Sequence, residues 1–509
     1  MSANPFEPTA GSAEASLPLS APVPPAVAAQ PRAAARAWVD WKIVGIVTLV
    51  GLALRLWYAL KLHPVGQYIY SDMAGAYHEA QGFADPHHVM NRWDTLKPRG
   101  MAFFGGYLLR WFGSHGLTAW GTAQAVLGAL TLPLVFIGVR RCFGRRAALV
   151  ATALLAIDYL AISFTGYLMA ETCLMAFLAL SFAWLDPRRP WLCLLSGLAL
   201  GVACIFKAQA AVMLPLWAPV FWWVGRRDIE AGPEGLALGP KRPGSWLSAP
   251  RLSALALSAG MIAVTLPESV AISRISHKKA FIATYGGQNV YVGHCHVKLL
   301  TCEGGPDGAF DSGCPKVYER NEPWPDVTIQ ASAMDSAVYV REGLKCYTQS
   351  VGYAALWTVE QLADVFAGWP GSTIAPWPDW ATGGGGWDLT SNVLLSYVLV
   401  PLAFLWFWRH RRSLGAWLGF GLPMVSIWGL AILFSGDPRY REPFDFFILG
   451  AAGAWIAARW PPKALPTPAP IENPEPREPP SPTLAETITG GAAEAPPAPA
   501  PTGTPTATP

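Results

Sequence analysis

The chain has 509 residues, of which 52% are hydrophobic and only 14% are charged, and its formal net charge is +3. Because a soluble domain of average composition has about 25% charged residues, this composition excludes an ordinary soluble enzyme. The 24 Trp and 22 Phe exclude a wholly disordered chain, and so small a charge on so apolar a sequence does not indicate a nucleic-acid partner. The composition therefore predicts a protein that crosses a membrane several times.

The two ends of the chain differ from the rest. Residues 1–37 consist mainly of Ala, Pro and Ser, and residues 461–509 mainly of Pro, Ala and Thr. Neither segment has enough large apolar residues to offset the entropy cost of ordering, so both are predicted to be disordered tails. The membrane domain is accordingly placed at residues 38–460.

Ten apolar blocks follow one another inside this domain, each near the length that crosses about 30 Å of hydrocarbon as a helix. Two further stretches, Met101–Phe112 and Val351–Trp369, are apolar on one side only and are predicted to be helices lying in the interface. The predicted fold class is therefore an all-α polytopic membrane protein with about ten transmembrane helices. The predicted spans are Ile43–Leu60, Leu117–Val139, Ala147–Phe164, Tyr167–Leu185, Trp191–Phe206, Ala208–Val224, Leu252–Ile272, Leu389–Trp408, Leu414–Phe434 and Phe444–Ala458.

The orientation of the spans follows from the positions of Lys and Arg in short loops, which favour the cytoplasmic side. A single threading with both termini in the cytoplasm places every short basic connection on that side. Two large loops, residues 63–116 and 273–388, then face outward. The basic residues that set this orientation are Arg140, Arg141, Arg145, Arg146, Arg188, Arg189, Arg226, Arg227, Arg409, Arg411, Arg412, Arg459 and Lys463.

The second outward loop contains four cysteines, which in an oxidising compartment predict two disulfides of undetermined pairing. An alternative is a metal site formed by His294, Cys295 and His296 with another of these cysteines, but the spacing matches no standard zinc pattern. We therefore predict no bound metal and no cofactor, although dependence on a divalent metal stays open. The four disulfide candidates are Cys295, Cys302, Cys314 and Cys346.

Five basic residues lie at the outward ends of spans, where Lys and Arg are normally depleted. An anion at the outer leaflet, such as a phosphate head group on an acyl or prenyl tail, would explain them as a set. The alternative is that each side chain snorkels and pairs with Asp72, Glu171, Glu268 or Asp437. The five basic residues are Lys97, Arg99, Lys207, Arg439 and Arg441.

Asp72 stands among Tyr, Ser, His and Glu residues just outside the predicted first span and on the same side as the basic set. A carboxylate in this position could accept a proton from an attacking hydroxyl or amine; its alternative role is that of a turn or cap residue. Tyr77 in the same segment and Tyr440 between Arg439 and Arg441 are candidate substrate-binding residues.

A series of short motifs occurs in a fixed order between Leu52 and Ala458. The motifs are Leu54-Arg55-Leu56-Trp57-Tyr58, Ser71-Asp72, Lys97-Pro98-Arg99-Gly100, Phe143-Gly144-Arg145-Arg146-Ala147, Met169-Ala170-Glu171-Thr172, Phe206-Lys207, the segment Gly286–Gly293 and Arg439-Tyr440-Arg441-Glu442-Pro443. In order and sidedness they resemble the GT-C membrane glycosyltransferases that use polyprenyl-phosphate sugars, a group that includes protein O-mannosyltransferases and the aminoarabinose transferase that modifies lipid A. Two positions depart from that pattern: Arg99 replaces a second proline, and Met73 stands where the O-mannosyltransferases have a second acidic residue. The second departure leaves metal dependence and the acceptor class open.

The resemblance implies a GT-C-like fold and a polyprenyl-phosphate sugar donor that enters the site sideways from the outer leaflet. It implies that Asp72 is the general base and that Lys97, Lys207 and Arg441 hold the phosphate, with Arg439 as a second candidate. Glu171 would orient the sugar or Lys207, and Asn289 would contact the substrate. The expected reaction is a direct displacement that inverts the anomeric centre, with a lipid, a glycan or a protein as acceptor.

Three other functions stay open at this point. A transporter or flippase for an amphipathic anion explains the outward basic set, but it predicts charge near mid-span and repeated halves. A ligase or polymerase of lipid-linked oligosaccharides would share the phosphate site, and a membrane scaffold would leave Asp72 and Lys207 unexplained. The abundance of Ala, Pro and Arg suggests a GC-rich bacterial genome, which predicts a multi-pass protein of the bacterial inner membrane with a periplasmic site.

Overall fold

The computed structural model describes residues 30–67, 69, 71–224, 248–294, 299–301, 327–329, 334–349, 351–366, 390–391, 393–434, 436 and 438–460. The regular secondary structure of this part of the chain is helical apart from two three-residue parallel strands, β1 (Leu299–Thr301) and β2 (Val327–Ile329), in which Leu299 pairs with Val327. One compact unit extends to Trp460, and the remaining unit, Pro461–Pro509, lies outside the described residues, as does most of the first predicted tail.

The helices of the first half extend to Val224. They are α1 (Gln30–Trp57, continued by a π-helical turn, Tyr58–Leu62), α2 (Ser71–Ala84), α3 (Gly100–Phe112), α4 (Gly116–Phe143), α5 (Arg145–Ile157), α6 (Tyr159–Ser163), α7 (Glu171–Trp184), α8 (Pro190–Phe206) and α9 (Met213–Val224). The helices of the second half are α10 (Ala249–Ser276), α11 (Gly286–His294), α12 (Ser336–Gln349), α13 (Val351–Asp364), α14 (Val400–His410), α15 (Leu414–Ala416), α16 (Leu422–Leu433), α17 (Pro438–Arg441) and α18 (Asp445–Arg459).

Each of the ten predicted apolar blocks is mostly helical where the structure describes it, but not every block is a span by itself. Within the described ranges, four continuous helical segments are long and apolar enough to cross a membrane: Trp38–Leu62, Gly100–Phe143, Ala249–Ser276 and Leu414–Leu433. One bent pair raises the number to five, and three apolar helices are shorter, at 10–17 residues. The polytopic helical fold is thus confirmed, whereas the count of ten spans is not.

The predicted span Ala147–Phe164 is broken at Asp158, where the axes of α5 and the following helical segment meet at 55°. Asp158 caps α6 by accepting a hydrogen bond from the Ala161 amide. The break leaves the last carbonyls of α5 without helical partners. The buried guanidinium of Arg55 fills this need by donating to the carbonyl oxygens of Leu155 and Ala156, both at 3.2 Å.

Close helix packing depends on small residues, as is common in membrane proteins. A Cβ atom on Gly197 of α8 would lie 2.1 Å from the Leu257 carbonyl oxygen of α10, and one on Gly260 would lie 2.3 Å from the Leu194 carbonyl oxygen of α8. These two backbones can therefore touch only because both positions lack a side chain. The contact fixes the end of α8, from which Lys207 follows.

Residues that the sequence assigns to one side of the membrane do meet at one end of the helices. Arg145, which follows α4, donates to Asp40 near the start of α1 at 2.6 Å, and Arg146 donates to the carbonyl of Trp460 at the end of α18. At the other end the two loops that are predicted to face outward touch, because the amides of Thr284 and Tyr285 donate to the carbonyls of Thr95 and Leu96. The candidate site is built at this second end.

Candidate active site

Asp72 lies in the first turn of α2, with its side chain half exposed. A carboxylate is favoured there because the N-terminal end of a helix carries a partial positive charge. Its two oxygens face two cations that come from distant parts of the chain. Oδ2 accepts a hydrogen bond from Nη1 of Arg439 at 2.8 Å, and Oδ1 lies 3.6 Å from Nζ of Lys97. The structure therefore brings together three of the residues that the sequence assigns to the site.

The pKa of the Asp72 carboxyl lies below its ordinary value. Partial burial raises this pKa, but the hydrogen bond from Arg439 and the positive charges of Lys97, Arg439 and Lys207 together outweigh it. Asp72 is consequently ionised at neutral pH. A ligand that competed for these cations would remove the stabilisation and raise the pKa again.

Lys97 is held above the surface of α2. A Cβ atom added to Gly75 would lie only 3.2 Å from its Nζ, so the ammonium group sits directly over this glycine. The turn that precedes Lys97 is capped by Asn91 and Asp94 and is tied to the second outward loop through Thr95. Both outward loops thus contribute to the position of this side chain.

Lys207 and Glu171 form an ion pair separate from those of Asp72. Helix α8 ends at Phe206, and the extended backbone of Lys207 carries its side chain back to Glu171 at the start of α7, where Nζ lies 2.7 Å from Oε1. Glu171 is 2% exposed and Lys207 is 20% exposed in its side chain. A buried carboxylate requires such a partner. The contact is the one that an orienting role of Glu171 toward Lys207 needs, and that role stays a prediction.

Tyr440 lies between the Asp72–Arg439 ion pair and the Lys207–Glu171 ion pair. Nζ of Lys207 lies 4.7 Å from the centre of its ring, and the guanidinium carbon of Arg439 lies 5.2 Å from it, both within cation–π range. The Tyr440 hydroxyl also accepts a hydrogen bond from Nη2 of Arg439 at 3.4 Å. A continuous series of contacts therefore leads from Lys97 and Asp72 through Arg439 and Tyr440 to Lys207 and Glu171.

Arg441 does not reach this series of contacts, contrary to the prediction that it helps to hold the phosphate. Its side chain is completely buried and donates to Oδ1 of Asp445 at 2.8 Å, to the Val365 carbonyl at 3.2 Å and to the Ser396 hydroxyl at 3.2 Å. A guanidinium so enclosed cannot contact a ligand unless the helices separate. Arg439, the second candidate in the sequence prediction, takes the position at Asp72.

Arg99 is also paired internally. It forms a bidentate ion pair with Glu268 of α10, with both N–O distances at 2.6 Å, and its side chain is 5% exposed. For Arg99 the alternative interpretation, pairing with Glu268, describes the structure, whereas Arg441 pairs with Asp445, an acid that the prediction did not name. Lys97, Lys207 and Arg439 are paired as well, but their side chains stay 20–43% exposed.

The remaining candidates are less central. Tyr77 is partly buried one turn along α2 and packs against the apolar cluster beneath that helix. Asn289 is exposed on α11, and no described contact links it to Asp72 or Lys97. Cys295, Cys302, Cys314 and the side chain of Cys346 lie outside the described residues, so the disulfide prediction stays a prediction. Within the described ranges, no three His, Cys, Asp or Glu residues form a group suited to a metal ion.

Sequence reasoning did not assign roles to three buried charged residues beside the site: Arg55, Glu442 and Asp445. Arg55 and Glu442 occur inside the quoted motifs, and Asp445 follows two residues after the last of them. The available signal was a charge next to an apolar block, which is costly in a membrane and usually functional.

The chain is a polytopic helical membrane protein with a half-exposed carboxylate between cations at one end of its helices. It resembles the GT-C membrane glycosyltransferases, as the sequence predicts. The family model described as dolichyl-phosphate-mannose-protein mannosyltransferase matches residues 97–230. That segment includes Lys97, Glu171 and Lys207, whereas Asp72 and Arg439 lie outside it. No curated protein matches the chain.

Two solved structures show distant similarity. Archaeal oligosaccharyltransferase AglB from Archaeoglobus fulgidus, in complex with an inhibitory peptide and a dolichol-phosphate, is 14% identical with a TM-score of 0.46, over 83% of this chain and 50% of that chain. ArnT from Cupriavidus metallidurans bound to undecaprenyl phosphate is 15% identical with a TM-score of 0.37, over 84% of this chain and 78% of that chain. This chain thus matches only about half the length of the archaeal protein. Because both TM-scores lie below 0.5, neither structure assigns residues or substrates to this chain.

Proposed function

We propose that this protein transfers a glycosyl group from a polyprenyl-phosphate-linked donor to an acceptor at the outer face of the membrane. The observation that carries the proposal is the position of the Asp72 carboxylate, 2.8 Å from Nη1 of Arg439 and 3.6 Å from Nζ of Lys97. One base and two cations, from three separate segments, are what such a displacement requires. The family match over residues 97–230 supports the same class of reaction.

The leaving group of this reaction is a phosphate anion, which needs fixed positive charge more than it needs a general acid. Arg439 and Lys97 are partly exposed and would bind that phosphate, with Lys207 as a third cation oriented by Glu171. Arg441 has no direct contact in this arrangement because its side chain is enclosed.

Binding of the donor would also prepare the base. Arg439 and Lys97 now hold the pKa of Asp72 down. When the phosphate takes these two cations as its own partners, the Asp72 carboxylate becomes more basic and accepts the proton of the acceptor hydroxyl or amine. The acceptor oxygen or nitrogen attacks the anomeric carbon from the side opposite the phosphate, so the configuration inverts. The polyprenyl phosphate leaves with the electron pair of the broken bond.

The sidedness of the site is part of the proposal. The exposed cations Lys97 and Arg439 lie on the loops that the positive-inside rule sends outward. The site would therefore face the periplasm of a bacterial inner membrane, with both termini in the cytoplasm. A membrane-embedded donor could then enter sideways, with its phosphate at the level of these cations.

The test compares cell-envelope glycolipids and glycoproteins by mass spectrometry in cells with the intact protein and with Asp72→Asn. We expect one sugar to disappear from one fraction, since removal of a general base costs about 10²–10⁴-fold in rate, while the variant still accumulates in the membrane. Asp85→Asn is the matched control, because Asp85 lies in the same predicted outward loop and its carboxylate accepts a hydrogen bond only from the His87 amide among the described residues. An unchanged sugar profile with Asp72→Asn would remove Asp72 from the mechanism.

A further inference from the structure

A second group of charged side chains shares Lys207 and Glu171 with the candidate active site but is otherwise buried. Electrostatic interactions connect its members to one another. The group comprises four acids, Asp158, Glu171, Glu442 and Asp445, and three cations, Arg55, Lys207 and Arg441.

Three of the four acids have hydrogen-bond partners. Asp158 accepts from the Ser391 hydroxyl and the Ala161 amide, Glu171 accepts from Lys207, and Asp445 accepts from Arg441. Glu442 is different. It is 0% exposed, and neither of its carboxyl oxygens has a partner among the described residues. An ionised carboxylate enclosed without a donor is costly, so such a group is expected to neutralise instead.

The charge balance of the group also indicates that Glu442 holds a proton. Ionisation of all seven side chains would give four negative and three positive charges, a net charge of −1 inside the protein. One bound proton makes the group neutral. Because Lys207 and Arg441 already donate to Glu171 and Asp445, Glu442 is the acid without a donor to stabilise its charge.

The surroundings of Glu442 are mainly negative. Asp445 of α18, Glu171 of α7 and Asp158 before α6 each act on it with negative charge, and the cations Lys207 and Arg55 oppose them. Burial comes first among the causes that raise the pKa of Glu442, and these three acids add to it. The neighbouring Arg441 is directed to Asp445.

We propose that Glu442 is an internal proton-binding site that determines the partner of Lys207. With a proton on Glu442, Lys207 stays paired with Glu171 and remains beside the Tyr440 ring. Without that proton, a charged Glu442 competes with Glu171 for the same ammonium group and draws it away from the candidate active site. Glu442 therefore acts as a positioning residue, through Lys207, and takes its proton from solvent.

Infrared spectroscopy of the purified full chain in a maltoside detergent, which has no carbonyl group, tests this directly, because the carbonyl-stretching band of a protonated carboxyl group is separate from the amide and carboxylate bands. At neutral pH we expect this band in the wild-type protein and its loss in Glu442→Gln. Glu268→Gln is the matched control, since Glu268 is bound by both nitrogens of an arginine fork and is expected to contribute no such band. A band that persists unchanged in Glu442→Gln would place the proton elsewhere and overturn the proposal.

Glu442→Asp keeps the test usable if the glutamine variant does not fold. This variant retains an acid on a shorter side chain, so we expect the band to shift in frequency, whereas Glu268→Asp leaves it in place. An unshifted band in Glu442→Asp would contradict the proposal. The measurement needs no substrate, so its result does not depend on whether the protein transfers a glycosyl group.

The pH dependence of thermal unfolding provides a second readout. Because the folded-state pKa of Glu442 is raised above its unfolded value, its stabilising contribution is fully present at low pH and is lost as pH rises through the folded-state pKa. We expect the wild-type melting temperature to fall over that range more steeply than that of Glu442→Gln. Parallel curves for the two proteins would contradict a proton on Glu442.

Discussion

Arg439 and Arg441 are two residues apart in one short helix, yet their side chains have opposite environments. Arg439 is 30% exposed and binds Asp72 across 367 positions of the chain, whereas Arg441 is completely enclosed and binds Asp445 in the following helix. Side chains at positions i and i+2 of a helix do not share a face, so α17 directs one guanidinium to the site and the other into the helix bundle.

Alanine substitutions at these two positions are therefore expected to affect different properties, ligand binding at Arg439 and stability at Arg441. Arg439→Ala should weaken binding of undecaprenyl phosphate, used as the probe, with little change in melting temperature, because the lost pair is partly exposed. Arg441→Ala should lower the free energy of unfolding by about 3–5 kcal/mol, because Asp445 is left as a buried unpaired acid. Arg110→Ala, at an exposed arginine of α3, is the control for probe binding. Equal loss of stability in both variants would contradict the assignment.

The Lys207–Glu171 pair predicts non-additive effects on stability. Lys207→Met leaves the Glu171 carboxylate buried at 2% exposure without its cation, which should cost about 3–5 kcal/mol. In Lys207→Met/Glu171→Gln the isolated charge is gone, so the double variant should be more stable than Lys207→Met while transfer remains impaired. Thermal unfolding and the sugar profile measure the two effects. A double variant as unstable as the sum of both single variants would show that the two residues act independently.

Gly75→Ala tests the position of Lys97 without altering any charge. The new Cβ would lie 3.2 Å from Nζ, and the flexible lysine would have to move. Alanine also has a higher helix propensity than glycine, so the fold should be at least as stable while affinity for undecaprenyl phosphate falls. Gly45→Ala in α1 is the control, because its Cβ would meet no atom within 4 Å. Unchanged probe affinity in Gly75→Ala would separate Lys97 from phosphate binding.

Substitution of Arg99 is expected to change only the stability of the protein. In Arg99→Pro the backbone should tolerate the ring, since φ is −77° at this N-cap position, but Glu268 loses its bidentate partner. We expect Arg99→Pro to lower the melting temperature and Arg99→Pro/Glu268→Gln to recover part of the loss. If the double variant is no more stable than Arg99→Pro, the ion pair does not contribute to the fold.

The sequence was sufficient to predict the apolar helical segments and the residues that meet at Asp72, but not the polar helices α2, α11 and α12. Long apolar blocks can cross a bilayer only as helices, because every backbone hydrogen bond must be made within the segment. All ten blocks are accordingly mostly helical where the structure describes them, and Lys97, Lys207, Glu171 and Arg439 were identifiable as charges at the ends of such blocks. The break at Asp158 was not, since apolar composition continues through it.

What only the tertiary structure decided is which charge faces the site and which is enclosed. Arg439, Arg441 and Arg99 have the same side chain, and each lies shortly before an apolar block of the sequence. Their partners are 367, 4 and 169 residues away, respectively. Local patterning determines where a helix begins and which residues are apolar, but the desolvation of a charge depends on the helices that pack around it. The ion pairs of this protein, and the absence of a described partner for Glu442, are therefore consequences of packing.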